Sequence, residues 1–362
     1  MKKLFFVAAI ACVALASCVK NELAPSVTQQ DEITFATPVV GNLTKAVTGE
    51  IGNNYSKDEN FVVYGWYCTE DSFNPDNCTV YMDSVTCKHN ANRNVESDAG
   101  DQGAWEPATT YYWPKNGRLT FSAYSPAELV ADSIANNPKT GLIVSNYKVD
   151  TDVTKQYDFL YSDRAYNKTT SIGETNAVYD GVDILFRHAL SSIHVKVKTD
   201  KTYPEGTIKV NSIIFKNVYC TADFKENLTT GTEGESKTSA AWVGHHKPKD
   251  IVIGSTAQAV AYDAAKYGTT AILIPQQFVV DENKIELVVN YTIKNGGGST
   301  IDQVAELSLV ANGSVDGGEA TTIYQWVKGY RYTYNLTFSL NEIYFAPSVE
   351  TWYDVAMNEM GI

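Results

Sequence analysis

Apolar and polar positions along this chain alternate with a period of two in run after run, as strands with one buried face require. The clearest run lies near the end. Tyr330, Tyr332, Tyr334, Leu336, Phe338 and Leu340 share one face, and Arg331, Thr333, Asn335, Thr337 and Ser339 share the other. A slip of one residue would expose the whole apolar set, so register is strongly specified here. Ile193, Val195 and Val197 alternate with His194, Lys196 and Lys198. Ile285, Leu287, Val289, Tyr291 and Ile293 alternate with Glu286, Val288, Asn290 and Thr292. Residues 61–67, Phe-Val-Val-Tyr-Gly-Trp-Tyr, are apolar on both faces and predict a central strand. Leu119, Phe121 and Ala123 line one face of a further run, which follows 111–114 and the turn Lys115-Asn116-Gly117. An Asn-Gly between two such runs predicts a hairpin. Shorter strands are expected at 33–36, 158–161, 184–186, 208–215, 251–253, 271–274, 305–309, 343–345 and 349–353, with a turn at Gly296 to Gly298. A helix is expected only over 126–135. The polar stretch 71–101 reads as a surface excursion holding one short strand at 79–82. Many short strands with almost no helix predict an all-β chain of sandwiches or barrels. Its 362 residues suffice for two domains, divided just before His188, where the strand pattern restarts.

The N-terminus carries a different pattern. Met1-Lys2-Lys3 is basic, the next residues to Leu15 are apolar, and Ala16-Ser17-Cys18 closes the run. A basic head, an apolar core and small residues make an export signal, and this core falls short of the roughly 20 residues a membrane-spanning helix needs. The small-small-Cys ending resembles a bacterial lipobox. That resemblance implies cleavage between Ser17 and Cys18 and a diacylglycerol on the Cys18 thiol, which anchors the chain in the membrane through its buried methylenes. Residues 19–30 then read as a tether, and 41–52, which contain Lys45-Ala46, as an exposed linker.

Composition narrows the function. Hydrophobic residues make up 44% of the chain, enough for real cores, and the 23 tyrosines favour strands. A net charge of −13 argues against nucleic acid as a partner. Of six cysteines, Cys12 leaves with the signal and Cys18 is the lipid site, leaving Cys68, Cys78, Cys87 and Cys220. An exported chain permits disulfides. Spacing favours a local link, Cys68–Cys78 first, against the alternative of free buried thiols. No CxxC or paired-histidine pattern suggests zinc, and no metal or other cofactor is expected. The adjacent His245-His246 make a poor chelate, and His188 and His194 read as structural. Asp150-Thr151-Asp152 lacks the remaining ligands of a calcium loop. The chain holds no G-x-S-x-G, H-E-x-x-H, Walker loop or dinucleotide fingerprint, so an enzyme is not expected. A carboxylate pair acting on glycans is the weakest reading, because nothing in the sequence selects one.

Several segments in order resemble the fimbrillin-like proteins, the type V pilins of Bacteroidetes. They are the lipobox at Cys18, Ile33-Thr34-Phe35, the run at 61–65, Tyr112-Trp113-Pro114 leading to 119–126, and Asp158-Phe159-Leu160-Tyr161. Then come 186–193, Leu273-Ile274-Pro275-Gln276, and Lys328-Gly329-Tyr330-Arg331-Tyr332 with Trp352. The resemblance implies two tandem transthyretin-like Greek-key β-sandwich domains. The layout would be a signal peptide at 1–17, a tether and N-terminal pro-segment strand at 18–45, and domains at 46–187 and 188–362. It also implies export as a lipoprotein to the outer membrane, proteolytic trimming, and polymerisation with other pilin subunits by donor-strand exchange. The displaced strand would span 32–40, with Ile33 and Phe35 filling a groove, and cleavage would fall between Lys45 and Ala46. Family members cut by an arginine-specific protease carry Arg there, so Lys45 departs from the pattern. The donor segment would be 348–362. Asp83-Ser84-Val85 and Asp132-Ser133-Ile134 resemble the O-glycosylation sites of these bacteria, at Ser84 and Ser133. The alternative function is a monomeric surface-anchored lipoprotein or pilus-tip adhesin, its 71–101 loops holding a glycan or protein.

Overall fold

The computed structural model describes residues 32–41, 55–93, 104–170, 178, 181–228, 239–280 and 282–352. Up to residue 188 the strands are β1 (Val39–Val40), β2 (Phe61–Cys68), β3 (Thr79–His89), β4 (Trp105–Pro107), β5 (Arg118–Ser125), β6 (Ser133–Asn137), β7 (Gly141–Lys148), β8 (Leu160–Ser162), β9 (Ala165–Lys168) and β10 (Leu185–His188). Then follow β11 (Ser191–Thr199), the 20-residue β12 (Ile208–Asn227) and β13 (Ser239–Gly254). The largest later strands are Glu286–Lys294, Thr300–Ser308, Tyr330–Phe338 and Ile343–Thr351. The only helical element among the described residues is a single 3-10 turn, Val153–Lys155. The chain is thus nearly all-β.

Three large sheets organise the strands. The first runs β1-β10-β8-β5-β2-β3-β4, with β9 on β5. β2 lies between β3 and β5 and is buried along almost its whole length, as two-sided apolarity requires. The second sheet sets β11 parallel to Tyr330–Phe338, which pairs antiparallel with Ile343–Thr351. The third runs from Thr300–Ser308 through Glu286–Lys294 to β12, β7 and β6. Two cores result. One fills the inner face of the first sheet around Phe35, Phe61, Phe121, Trp105 and Phe186. The other joins the opposite face of that sheet, at Tyr64, Trp66 and Tyr161, to the apolar faces of the remaining two.

Several expectations are corrected. Residues 126–135 form no helix: 127–128 turn, and Ser133 opens β6. Local helix formers lose to long-range partners, since Ala127 N–H donates to the Asn60 carbonyl and Asp132 N–H to that of Ser145. The excursion at 71–101 contains the eleven-residue β3, not a short strand. Its period is hidden by a bulge: Val63 faces Val85, yet Gly65 faces Met82, and Ser84 has φ +53°. The extra residue resets the alternation, so Met82, Val85 and Cys87 are all buried out of simple phase. The Asn116-Gly117 hairpin does not form. Gly117 turns with φ +78° over Tyr67 and Cys68, while the 111–112 segment pairs with the N-terminal residues. The adjacent His245 and His246 lie within β13.

Candidate functional site

The site is a groove in the first sheet with an N-terminal strand seated in it. Residues 32–41 run between two walls. On one side Ile33 N–H donates to the Tyr111 carbonyl (2.8 Å), and Phe35 and Trp105 exchange hydrogen bonds at 2.9 and 3.0 Å. On the other, Ala36 N–H donates to Val182 O, Val182 N–H to Thr34 O, Val39 N–H to Ile184 O and Gly41 N–H to Phe186 O. The pairing is antiparallel with Trp105 and parallel with β10, where Val39 faces Leu185 and Val40 faces Phe186. The segment therefore bridges strands that lie far apart in sequence.

Ile33 and Phe35 point inward and are 1% and 0% exposed, and Val40 is also buried. The Phe35 ring meets Phe61 and Phe121 edge-on, with centroids 5.8 and 5.5 Å away, a geometry that aromatic quadrupoles favour. Tyr55 packs against Phe186 and Trp105, and its hydroxyl bonds Ser125 Oγ at 2.7 Å. Burial pushes its pKa well above the ordinary tyrosine range, so the ring serves the groove as a neutral wedge. At the mouth, the Arg93 guanidinium bridges Glu32 and Glu106 at 2.5 Å each. These groups are partly exposed, so the bridge holds register more than it adds stability. Each buried apolar side chain of the segment contributes about 1.5–3 kcal/mol. Vacating the groove would expose Phe61, Phe121 and Trp105 and leave two rows of backbone groups unpaired, the state that invites uncontrolled strand pairing.

The remaining predicted residues are scattered. Ser17, Cys18, Lys45 and Ala46 lie outside the described residues. Cys68 and Cys78 are joined as a disulfide between the end of β2 and the start of β3. Cys87 and Cys220 are free, buried thiols, and burial raises both pKa values, Cys220 to about 11. Ser84, on the β3 bulge, and Ser133, at the start of β6, are exposed on different sheets. Residues 348–351 pair with Tyr330–Thr333, and 353–362 lie outside the described residues. Among the described residues no group of three or more His, Cys, Asp or Glu is placed to hold a metal ion. The alternation of Ile33 and Phe35 marked a segment with a buried face, as their burial bears out, but no sign of the walls, Trp105 and Val182, was legible in the sequence, since each sits in a short, irregular segment without a period to read.

The sequence profile of a family described as fimbrillin-like matches residues 44–352. No curated protein matches the chain. Among solved structures, a fimbrial protein from Bacteroides vulgatus ATCC 8482 is similar at 15% identity and TM-score 0.60, covering 90% of this chain and all of that one. A protein ascribed to cell adhesion from Bacteroides uniformis ATCC 8492 aligns at 16% identity and TM-score 0.47 over 90% of this chain and 100% of its own. A fimbrilin from Porphyromonas gingivalis W83 aligns at 10% identity and TM-score 0.40, over 89% and 99% of the two chains. The first of these carries the fold likeness, that of a β-sandwich fimbrial protein.

Proposed function

The chain belongs to the fimbrillin-like family, and from that premise we propose that it is a fimbrial subunit or adhesin that assembles by strand exchange in the groove described above. The observation that supports this reading is the seating of Ile33 and Phe35. They sit in the core, on a segment that enters from the N-terminus and closes both open edges of the first sheet. In this reading the chain reaches the outer membrane as a lipoprotein on Cys18 and is displayed at the cell surface. Cutting between Lys45 and Ala46 makes the 32–40 strand separable. A donor strand from a neighbouring subunit then replaces it, with backbone hydrogen bonds giving affinity and alternate side chains giving register. Residues 46–187 and 188–362 are the two structural parts of the subunit. Its role is structural, and the only chemistry the mechanism needs is the trimming done by another protein.

Limited digestion of the full chain with a Lys-specific protease tests this, read by intact mass and electron microscopy. Cleavage confined to Lys45–Ala46, followed by oligomers or fibres from which 32–40 is missing, is the expected result. A linker that resists, or a trimmed protein that stays monomeric with the strand retained, overturns strand exchange and leaves the anchored surface binding protein.

A further inference from the structure

A second concave site lies away from the groove, where β12 and β13 meet the segments around 275–280 and 325–328. It encloses about 600 Å³, inside the range of roughly 300–1,000 Å³ usual for small-ligand sites. Its apolar wall is aromatic. Trp242 is half-buried, with its edge fixed by an Nε1–H bond to the Ala189 carbonyl (2.6 Å) and its ring backed by Phe224 and Tyr147. Tyr219 stands beside His245, with ring centroids 6.1 Å apart, and Gln276 clamps the Tyr219 backbone from both sides, accepting from its N–H and donating to its carbonyl. These rings are held before any ligand arrives.

The polar lining is mostly amide. Gln277 and Gln325 are opposite partners in an antiparallel backbone bridge, which puts their side chains on the same side, and no hydrogen bond of either side chain is seen among the described residues. Each offers both a donor and an acceptor. His245 Nε2 lies 2.8 Å from the Pro275 carbonyl, and since a carbonyl oxygen only accepts, that nitrogen is the donor. Lys328 sits at the rim, its ammonium on the Tyr161 hydroxyl at 2.7 Å. No carboxylate lines the cleft among the described residues.

We propose that this cleft binds a saccharide, one or two pyranose rings at the end of a glycan, without cleaving it. A pyranose presents an apolar C–H face beside hydroxyls that donate and accept at once. Fixed rings flanked by amides answer both features. Glycoside hydrolysis needs a carboxylate pair, which this lining lacks. Along the wall formed by 276–278 and 324–326 the backbone is already paired, Phe278 N–H donating to Tyr324 O and Trp326 N–H to Gln276 O, so a peptide could not add there as a strand. The proposal does not rest on strand exchange.

The test titrates the full, untrimmed chain with methyl glycosides of glucose, galactose, mannose, N-acetylglucosamine and N-acetylgalactosamine, followed by saturation-transfer NMR and tryptophan fluorescence. Saturable binding of at least one sugar is expected. The double variant Gln277→Ala/Gln325→Ala should bind it about tenfold or more weakly at an unchanged Tm, the loss of a little over 1.4 kcal/mol of hydrogen bonding. Trp242→Phe, which keeps the core packed, should weaken it as well. No saturable response to any sugar, equal binding by the double variant, or saturation only by an unstructured control peptide would each overturn the assignment.

Discussion

At the scale of single residues, two side chains carry effects that can be measured. Phe35 fills the space between Phe61 and Phe121. Phe35→Ala leaves a cavity there that its neighbours, fixed in a sheet, fill poorly, so a loss of about 3–5 kcal/mol is expected. If the segment detaches instead, the amides of Trp105 and Val182, which donate to Phe35 and Thr34, will exchange with solvent faster than in the native chain. Unchanged stability and unchanged exchange would mean that the groove does not need its plug. His194 sits in the middle of β11, opposite Thr333, with Nε2 on Ser192 Oγ and Nδ1 facing Thr270. Burial, then Arg331, Lys266 and Lys196 in that order, lower its pKa to about 4. The unfolded chain protonates this ring near 6.5, so between pH 6.5 and 4 the unfolded state binds more protons. Stability therefore falls as pH drops through that window and levels off below it. The ring is partly solvated, which reduces the effect to about 1–2 kcal/mol. Urea titrations from pH 7 to 4 should show His194→Gln losing less stability on acidification than the native chain. Parallel curves would refute the shift.

At the scale of elements, the end of β2 and the start of β3 are stapled by Cys68–Cys78, which closes a loop of ten residues. Chain-entropy reasoning gives such a loop about 2.5–3 kcal/mol of stabilisation. The double variant Cys68→Ala/Cys78→Ala should lower Tm by several degrees while leaving the fold intact, and a reducing agent should lower the native Tm toward that value but not that of the variant. The same stretch shows what the sequence made legible. Unbroken period-two runs were legible in place, and in face along most of their length. In Tyr330–Phe338 the residues Tyr332, Tyr334, Leu336 and Phe338 are buried as expected, but Leu340 falls past the strand's end and is 45% exposed, and in Glu286–Lys294 Val288, expected on the polar face, is buried. β3 was not, because its bulge at Ser84 shifts the buried set from even to odd positions. The 126–135 segment was misread because helical propensity is a weak prior beside the hydrogen bonds that Asn60 and Ser145 offer it. In the groove, the inserted strand announced itself by Ile33 and Phe35. Its walls did not, since Trp105 and Val182 each meet Phe35 only through long-range pairing, across 70 and 147 residues, which no local pattern encodes.

At the scale of the molecule, the two parts of the chain share a sheet and a core. β6 and β7, from the first part, extend the third sheet: Ala222 faces Tyr147 and Phe224 faces Val144. Glu226 near the end of β12 accepts from Leu142 N–H at 2.7 Å, and its carboxylate lies against Gly141, whose φ of +79° suits glycine alone. Phe159 packs on Phe224 and Trp242, and Lys328 reaches back to Tyr161. These contacts lie in the interior, where buried apolar surface couples the stability of both sides. A chain divided before His188 therefore yields a C-terminal piece with the β12 edge stripped and the aromatic cluster around Phe224 half open. Residues 188–362 expressed alone should aggregate or bind a hydrophobic dye. The full chain should unfold in one transition, with tryptophan fluorescence, near-UV and far-UV circular dichroism tracing the same curve. Two separated transitions, or a soluble and cooperatively folded 188–362 fragment, would show that the shared sheet contributes little. The outcome bears on assembly. A subunit that unfolds as one body passes tension through β6, β7 and β12 rather than through a single peptide linkage. The 32–40 strand lies outside that path: it pairs with Trp105 on one side and with Val182 and β10 on the other, so its loss would leave the pairing of β6, β7 and β12 in place.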